Sequence, residues 1–216
     1  MIERTIAAST HGRYLVQPPA ASGPAPLLVG FHGYAEGAEA QLDRMRAISG
    51  ADRWRIVSIQ GLNRFYQRRT NEVIAGWMTR QDRDLAIADN AAYVAAVVEA
   101  VQREWPGSPR VIFAGFSQGV AMAFRAAASA RAVDGVIAVG GDVPPEISPP
   151  ALGRIPSALV CRGARDEWYA PATFETDVKR LREAGTIVEP LQFDGGHEWS
   201  DAVAQAAGRF LRERLT

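Results

Sequence analysis

The sequence predicts a mostly parallel, doubly wound α/β fold, with a sheet flanked by helices on both faces. Three observations carry that expectation. Short apolar runs alternate with helix-period patterns from residue 27 onward, which is the order of a βαβ chain. The runs are continuously apolar, as suits strands covered on both faces. The chain has 216 residues, enough to bury a core without disulfides or a metal, and reads as a single domain over 1–216.

The elements follow in order. Tyr14, Leu15 and Val16 come after His11 and Gly12 and suggest an antiparallel edge hairpin. Leu27, Leu28, Val29, Gly30 and Phe31 form the first buried run, and Ile56, Val57, Ser58 and Ile59 the second. Val94, Val97, Val98, Val101 and Trp105 recur at helical spacing, with Pro106 and Gly107 closing that helix. Residues 111–114 read as a strand, and residues 120–130, apolar nearly all round, as a buried helix. Residues 136–139 and 158–161 are two further strand runs. Phe174, Val178 and Leu181 mark a helix ended by Gly185. Residues 191–193 are the last strand run, and Val203, Ala207, Phe210 and Leu211 the last helix stripe. Two connections are long, 60–83 and 140–156, the second with five prolines. Long loops in a compact fold are usually functional or disordered. Neither is large enough for a cap domain, so the site is expected to lie open to solvent.

Composition excludes several classes of function. Lysine plus arginine equals aspartate plus glutamate, 24 each, so no net field draws the chain to nucleic acid or an anionic membrane. No segment reaches the length of a membrane-spanning apolar helix, and the first residues lack a signal-peptide core. The one cysteine, Cys161, permits no internal disulfide and points to a reducing, cytoplasmic setting. It lies in a strand run and reads as a core thiol. Three dispersed histidines give no metal-ligand spacing, and no phosphate or dinucleotide loop is present. No cofactor and no metal are expected, and the expected partner is a small molecule rather than nucleic acid or a membrane. The sequence does not set the oligomeric state.

The chemistry centres on Gly115-Phe116-Ser117-Gln118-Gly119, a G-x-S-x-G string. Its context gives it weight, with a strand running in and a buried helix running out. Serine on such a turn exposes its hydroxyl beside a helix N-terminus, which favours developing negative charge. Serine also needs a base. His11 reads as solvated, which leaves His197, after the last strand, with His32 as rival. A loop at a strand's carboxyl end is where an open α/β sheet places its site. Asp166 is the candidate to orient the imidazole, with Asp142 and Glu167 as rivals. The loop after the first run, His32-Gly33-Tyr34, can supply a backbone N–H for an oxyanion, the second coming from Gln118.

These pieces together resemble the α/β-hydrolase superfamily, and more narrowly its carboxylesterase/phospholipase group, which includes acyl-protein thioesterases. The matching strings are Phe31-His32-Gly33-Tyr34, Gly115-Phe116-Ser117-Gln118-Gly119, Gly163-Ala164-Arg165-Asp166 and Gly195-Gly196-His197. The resemblance implies Ser117 as nucleophile, His197 as base, Asp166 as acid, and Tyr34 and Gln118 as backbone oxyanion donors. It implies hydrolysis of a carboxylic ester or thioester through an acyl-enzyme. A peptidase or amidase on the same residues, and a catalytically idle binding module, are the alternatives. The arginine-rich stretch 64–83 departs from the depalmitoylating members and leaves substrate class open. Its arginines, Arg64, Arg68, Arg69, Arg80 and Arg83, read as a solvated face balanced by Glu72, Asp82 and Asp84. Trp77, Met78 and Trp168 are the expected substrate-binding side chains, with Tyr169 beside them.

Overall fold

The computed structural model describes residues 1–215. In chain order the elements are β1 (Arg13–Gln17), β2 (Leu27–Phe31), α1 (Ala38–Arg46), β3 (Arg55–Gln60), β4 (Asn63–Tyr66), β5 (Val73–Gly76), α2 (Arg83–Glu104) and β6 (Val111–Phe116). There follow α3 (Gln118–Ser129), β7 (Gly135–Val139), the short α4 (Pro149–Leu152), β8 (Ser157–Gly163), α5 (Pro171–Glu183), β9 (Ile187–Phe193) and α6 (Asp201–Glu213).

Seven strands form the main sheet in the order β1-β3-β2-β6-β7-β8-β9. All neighbours are parallel except β1, which runs antiparallel to β3. The central strands β2, β3, β6, β7 and β8 are buried at every residue, and alternate side chains feed two separate cores. Val29, Phe31, Phe113, Val136 and Val160 meet α2, α3 and α5 on one face. Leu28, Ile112, Ile137 and Leu159 meet α1 and α6 on the other. This two-sided burial explains the unbroken apolar runs.

Two expectations are corrected. The first strand is an edge strand but not part of a hairpin, because β1 pairs with β3 across the sheet rather than with its sequence neighbour. The stretch 60–83 is not a structureless loop. It holds a two-stranded antiparallel ribbon in which Asn63 faces Gly76 and Tyr66 faces Val73. The ribbon is joined to the chain after β2 through main-chain bonds from Ala75 N–H to Glu36 O (2.8 Å) and from Ala35 N–H to Ala75 O (2.9 Å).

The topology fixes where a site can form. After β2 the chain moves outward to β3, then returns through the ribbon and α2 to β6 on the other side of β2. The crevice beyond the carboxyl ends of β2 and β6 is the switch point at which open α/β sheets bind ligands.

Candidate active site

Ser117 occupies the single residue between β6 and α3. Its backbone has φ 51° and ψ −121°, a conformation that L-residues avoid. Its N–H is tied to Val139 O at the end of β7 (2.9 Å). The flanking glycines have a steric reason. A Cβ on Gly119 would lie 2.2 Å from Phe31 O, and one on Gly115 would lie 2.5 Å from Gly119 O. The first turn of α3 is therefore pressed against the end of β2, and only glycine permits that approach.

His197 lies in the loop between β9 and α6, and Asp166 in the loop after β8. His197 Nδ1 and Asp166 Oδ2 are 2.9 Å apart. The carboxylate can only accept, so Nδ1 carries a proton, and in the neutral ring Nε2 is left as an acceptor. The other carboxylate oxygen, Oδ1, accepts from the N–H groups of Trp168 (2.9 Å) and Tyr169 (3.0 Å). The Asp166 side chain is almost fully buried, and that of His197 is partly exposed. Gly140, with φ 65°, leaves room for the pair, since a Cβ there would lie 3.1 Å from His197 Cε1. The Phe116 ring stands 5.1 Å from the imidazole, so His197 sits beside the residue that precedes Ser117. Asp142 and Glu167 are exposed, and neither is hydrogen-bonded to His197.

His32 is fully buried and both its nitrogens are engaged. Nδ1 is 2.6 Å from Gly33 O, and Gly61 N–H donates to Nε2 at 3.0 Å. One partner accepts and the other donates, which forces the neutral Nδ1–H tautomer. Burial, the largest influence, pushes its pKa down. With both nitrogens committed, it holds the loop against the ribbon and is not available as a base. Beyond it, Gly33 N–H is bound to Glu36 Oε2 and Ala35 N–H to Ala75 O. The Tyr34 N–H between them, and the Gln118 N–H at the start of α3, have no acceptor among the described residues.

The side chains expected to line the substrate surface divide. Trp77 is fully buried, a correction to its expected place. Its indole packs on Phe31 and His32 and donates to His32 O (2.8 Å), while its main-chain N–H donates to the Gln118 side chain (2.8 Å). An indole that reaches a buried acceptor is satisfied in the core, and here it supports the loops from below. Met78 is half-buried. Trp168 is 84% exposed with its ring 6.5 Å from that of His197. Tyr169 is buried, and its hydroxyl donates to Asp177 (3.0 Å). Tyr34 is 61% exposed and packs against Phe65 of the ribbon.

Several supporting residues escape a reading of the sequence. Arg162, buried at the end of β8, donates to Tyr169 O (2.7 Å) and Asp166 O (3.2 Å), bracing the loop that carries Asp166. Asn90 of α2 accepts from Leu62 N–H and donates to Trp77 O, fixing both ends of the ribbon. Glu36 and Arg44 form a bidentate pair under the Tyr34 loop. The signal for Asn90 was an isolated amide on the apolar side of a helix; the arginines carry no signal distinct from solvated charge. Cys161 is buried, and burial raises its thiol pKa far above the ordinary range. Among the described residues no cluster of His, Cys, Asp and Glu is gathered that could hold a metal ion, and no helix is long and apolar enough to cross a membrane.

A mostly parallel sheet flanked by helices, with its serine on this strand-to-helix turn, is the architecture of the α/β-hydrolases. Solved structures share the fold. The Zea mays acyl-protein thioesterase 2 superposes with a TM-score of 0.76 at 17% identity, covering 95% of this chain and 100% of that one. The Bacillus cereus carboxylesterase gives 0.75 at 14%, covering 94% of each. Esterase PE8 gives 0.73 at 22%, covering 94% and 99%. By sequence alone, no curated protein matches the chain. The phospholipase/carboxylesterase family model matches residues 15–215. The chain belongs to that family, and it is an esterase-type hydrolase.

Proposed function

We propose that the protein hydrolyses a carboxylic ester or thioester of a small substrate through Ser117, His197 and Asp166. The observation that carries this reading is the 2.9 Å bond between His197 Nδ1 and buried Asp166, set beside the strained Ser117 turn. Ser117 Oγ attacks the carbonyl carbon while His197 Nε2 takes its proton. Asp166 holds the ring in the required tautomer and stabilises the imidazolium. The Tyr34 and Gln118 N–H groups receive the oxyanion. The alcohol or thiol then departs with the proton from His197. Water, activated by the same base, releases the acid from the acyl-enzyme. Trp168 and Met78 flank the substrate, and Tyr34 and Phe65 offer an aromatic wall on the ribbon side. The unit acts as one domain in a cytoplasmic setting.

The test is hydrolysis of p-nitrophenyl esters of increasing chain length, with a thioester included. Ser117→Ala is expected to abolish turnover and fluorophosphonate labelling while the fold is kept. Asp166→Asn is expected to lower kcat by roughly 10³–10⁴, and Asp142→Asn to leave it unchanged. Turnover that survives Ser117→Ala would overturn the mechanism. A parent protein that neither labels nor hydrolyses any ester would instead make it a binding module.

A further inference from the structure

We propose that Glu36 and Arg44 are positioning residues for this reaction, holding the Gly33–Tyr34 peptide so that the Tyr34 N–H faces the oxyanion. This rests on the serine-hydrolase reading above. Three successive N–H groups frame the argument. Gly33 N–H donates to Glu36 Oε2 (2.7 Å) and Ala35 N–H to Ala75 O (2.9 Å). The Tyr34 N–H between them has no acceptor among the described residues. Fixing the two outer groups sets the direction of the middle one. The turn is not one the chain adopts readily, because Ala35 is held at φ 59°. Non-glycine residues enter that region at a cost and remain only where surrounding bonds impose it.

Arg44 fixes the carboxylate that fixes Gly33. Its two terminal nitrogens meet the two Glu36 oxygens at 2.6 Å each. Such a fork defines the plane of the carboxylate as well as its place. Both side chains are largely withdrawn from water, at 19% and 24% exposure. Burial alone would push the Glu36 carboxyl up, but the Arg44 hydrogen bonds and charge, with the Gly33 N–H, hold it below its ordinary range. The same guanidinium lies 4.0 Å over the ring of Phe116, whose ring in turn stands 5.1 Å from that of His197. One ion pair therefore ties the Tyr34 loop to the residue before Ser117. A Cβ on Gly33 would meet both Glu36 Oε2 (3.0 Å) and Phe116 Cδ1 (3.1 Å), which shows how closely the three are packed.

An ion pair that served stability alone would change the folded fraction and nothing else. A positioning pair acts on the transition state. The experiment measures kcat and KM for a p-nitrophenyl ester with the full-length parent, Glu36→Ala, Glu36→Gln and Arg44→Met. Active sites are counted by fluorophosphonate titration, so that unfolded molecules do not enter kcat. Loss of a whole oxyanion donor costs about 10²–10³ in rate, so a misdirected one in Glu36→Ala is expected to lower kcat about 10- to 100-fold with KM within about threefold. Glu36→Gln keeps an oxygen for Gly33 N–H and is expected to retain more kcat than Glu36→Ala. Should Glu36→Ala fail to fold, the comparison of Glu36→Gln and Arg44→Met with the parent decides. A kcat within twofold of the parent in Glu36→Ala, or in Arg44→Met where Glu36→Ala does not fold, or a loss carried by KM alone, overturns the inference. If Ser117→Ala is inert while Glu36→Ala turns over normally, only this inference falls. If Ser117→Ala retains activity, the reading beneath it falls as well.

Discussion

Ser117 shows how one residue can carry a conformational cost that its neighbours impose. Its φ of 51° and ψ of −121° fall outside the regions open to side chains with a Cβ. The bond from its N–H to Val139 O and the close seat of α3 on β2 hold it there. Such strain costs on the order of 1–3 kcal/mol. Glycine relieves it but loses roughly 0.5–1 kcal/mol through its freer unfolded chain. Ser117→Gly is therefore expected to be more stable than the parent by about 1 kcal/mol, a rise of roughly 2–4 °C in Tm for a chain of this size. Ser117→Ala keeps the Cβ and is the control. Equal Tm values for the glycine and alanine variants in thermal unfolding would show that the turn is not strained. The sharp turn at Ser117 is legible because a G-x-S-x-G string between a strand run and an apolar helix marks it, and the loops that carry Asp166 and His197 because each follows a strand run. Glu36, Arg44 and Arg162 were not legible. A charged side chain reads as solvated until the fold shows what surrounds it, and only the folded chain brings Arg44 over Phe116.

At the scale of elements, legibility followed burial. Strands β2, β3, β6, β7 and β8 are covered on both faces, and their runs announce them. The edge strand β9 begins at Ile187, four residues before its apolar run, because its first part is half-exposed and includes Glu189. Helix α1 buries Gln41 among Ala38, Leu42 and Met45 and is otherwise polar, so its period is faint. The ribbon β4–β5 has strands of only four residues, and β4 is largely exposed. Beyond its own ladder it is held by the buried side of β5 and by Asn90 of α2. The amide oxygen accepts from Leu62 N–H (3.2 Å), and the amide nitrogen donates to Trp77 O (3.0 Å) and Ala86 O (2.8 Å). Asn90 is almost fully buried, so no water replaces those partners. Each unmet buried group costs about 1–3 kcal/mol. Asn90→Leu is expected to destabilise the protein by about 2–4 kcal/mol, read from the urea midpoint. Faster amide exchange confined to residues 61–78 is expected alongside it. A loss under about 1 kcal/mol would mean that the ribbon is held by its own ladder and the Glu36 bridge.

For the whole molecule, a net charge of zero hides groups whose titration is bound to folding, and their signs differ. Glu39, through its hydrogen bond to Arg13, is held below its ordinary range. Glu36 and Glu146 are pushed up by burial but more strongly held down by Arg44 and Arg125. These three contribute stability above the unfolded carboxyl range that is lost as pH falls through their lowered values. Asp177 has the opposite sign. Burial raises its pKa, so its contribution is present below about 3.8 and lost as pH rises through the raised value. His32 governs the neutral range. Burial lowers its pKa, and its neutral form is the one that both Gly33 O and Gly61 N–H require. In the unfolded chain it titrates near 6.5, so below that pH the unfolded state binds a proton that the folded state refuses. Stability therefore rises with pH here, and it falls by up to about 1.4 kcal/mol per pH unit as the medium is acidified below the unfolded value. His32→Gln keeps an acceptor for Gly61 N–H but has no proton to gain. Urea midpoints for the parent and this variant, measured from pH 7.5 to 5.0, separate His32 from Asp177 and the glutamates, whose contributions are common to both. The parent is expected to lose stability more steeply below pH 6.5, so that the gap between the two proteins narrows on acidification. Parallel curves would mean that the folded protein admits the proton, and that His32 does not clamp the Tyr34 loop in the way its two hydrogen bonds require.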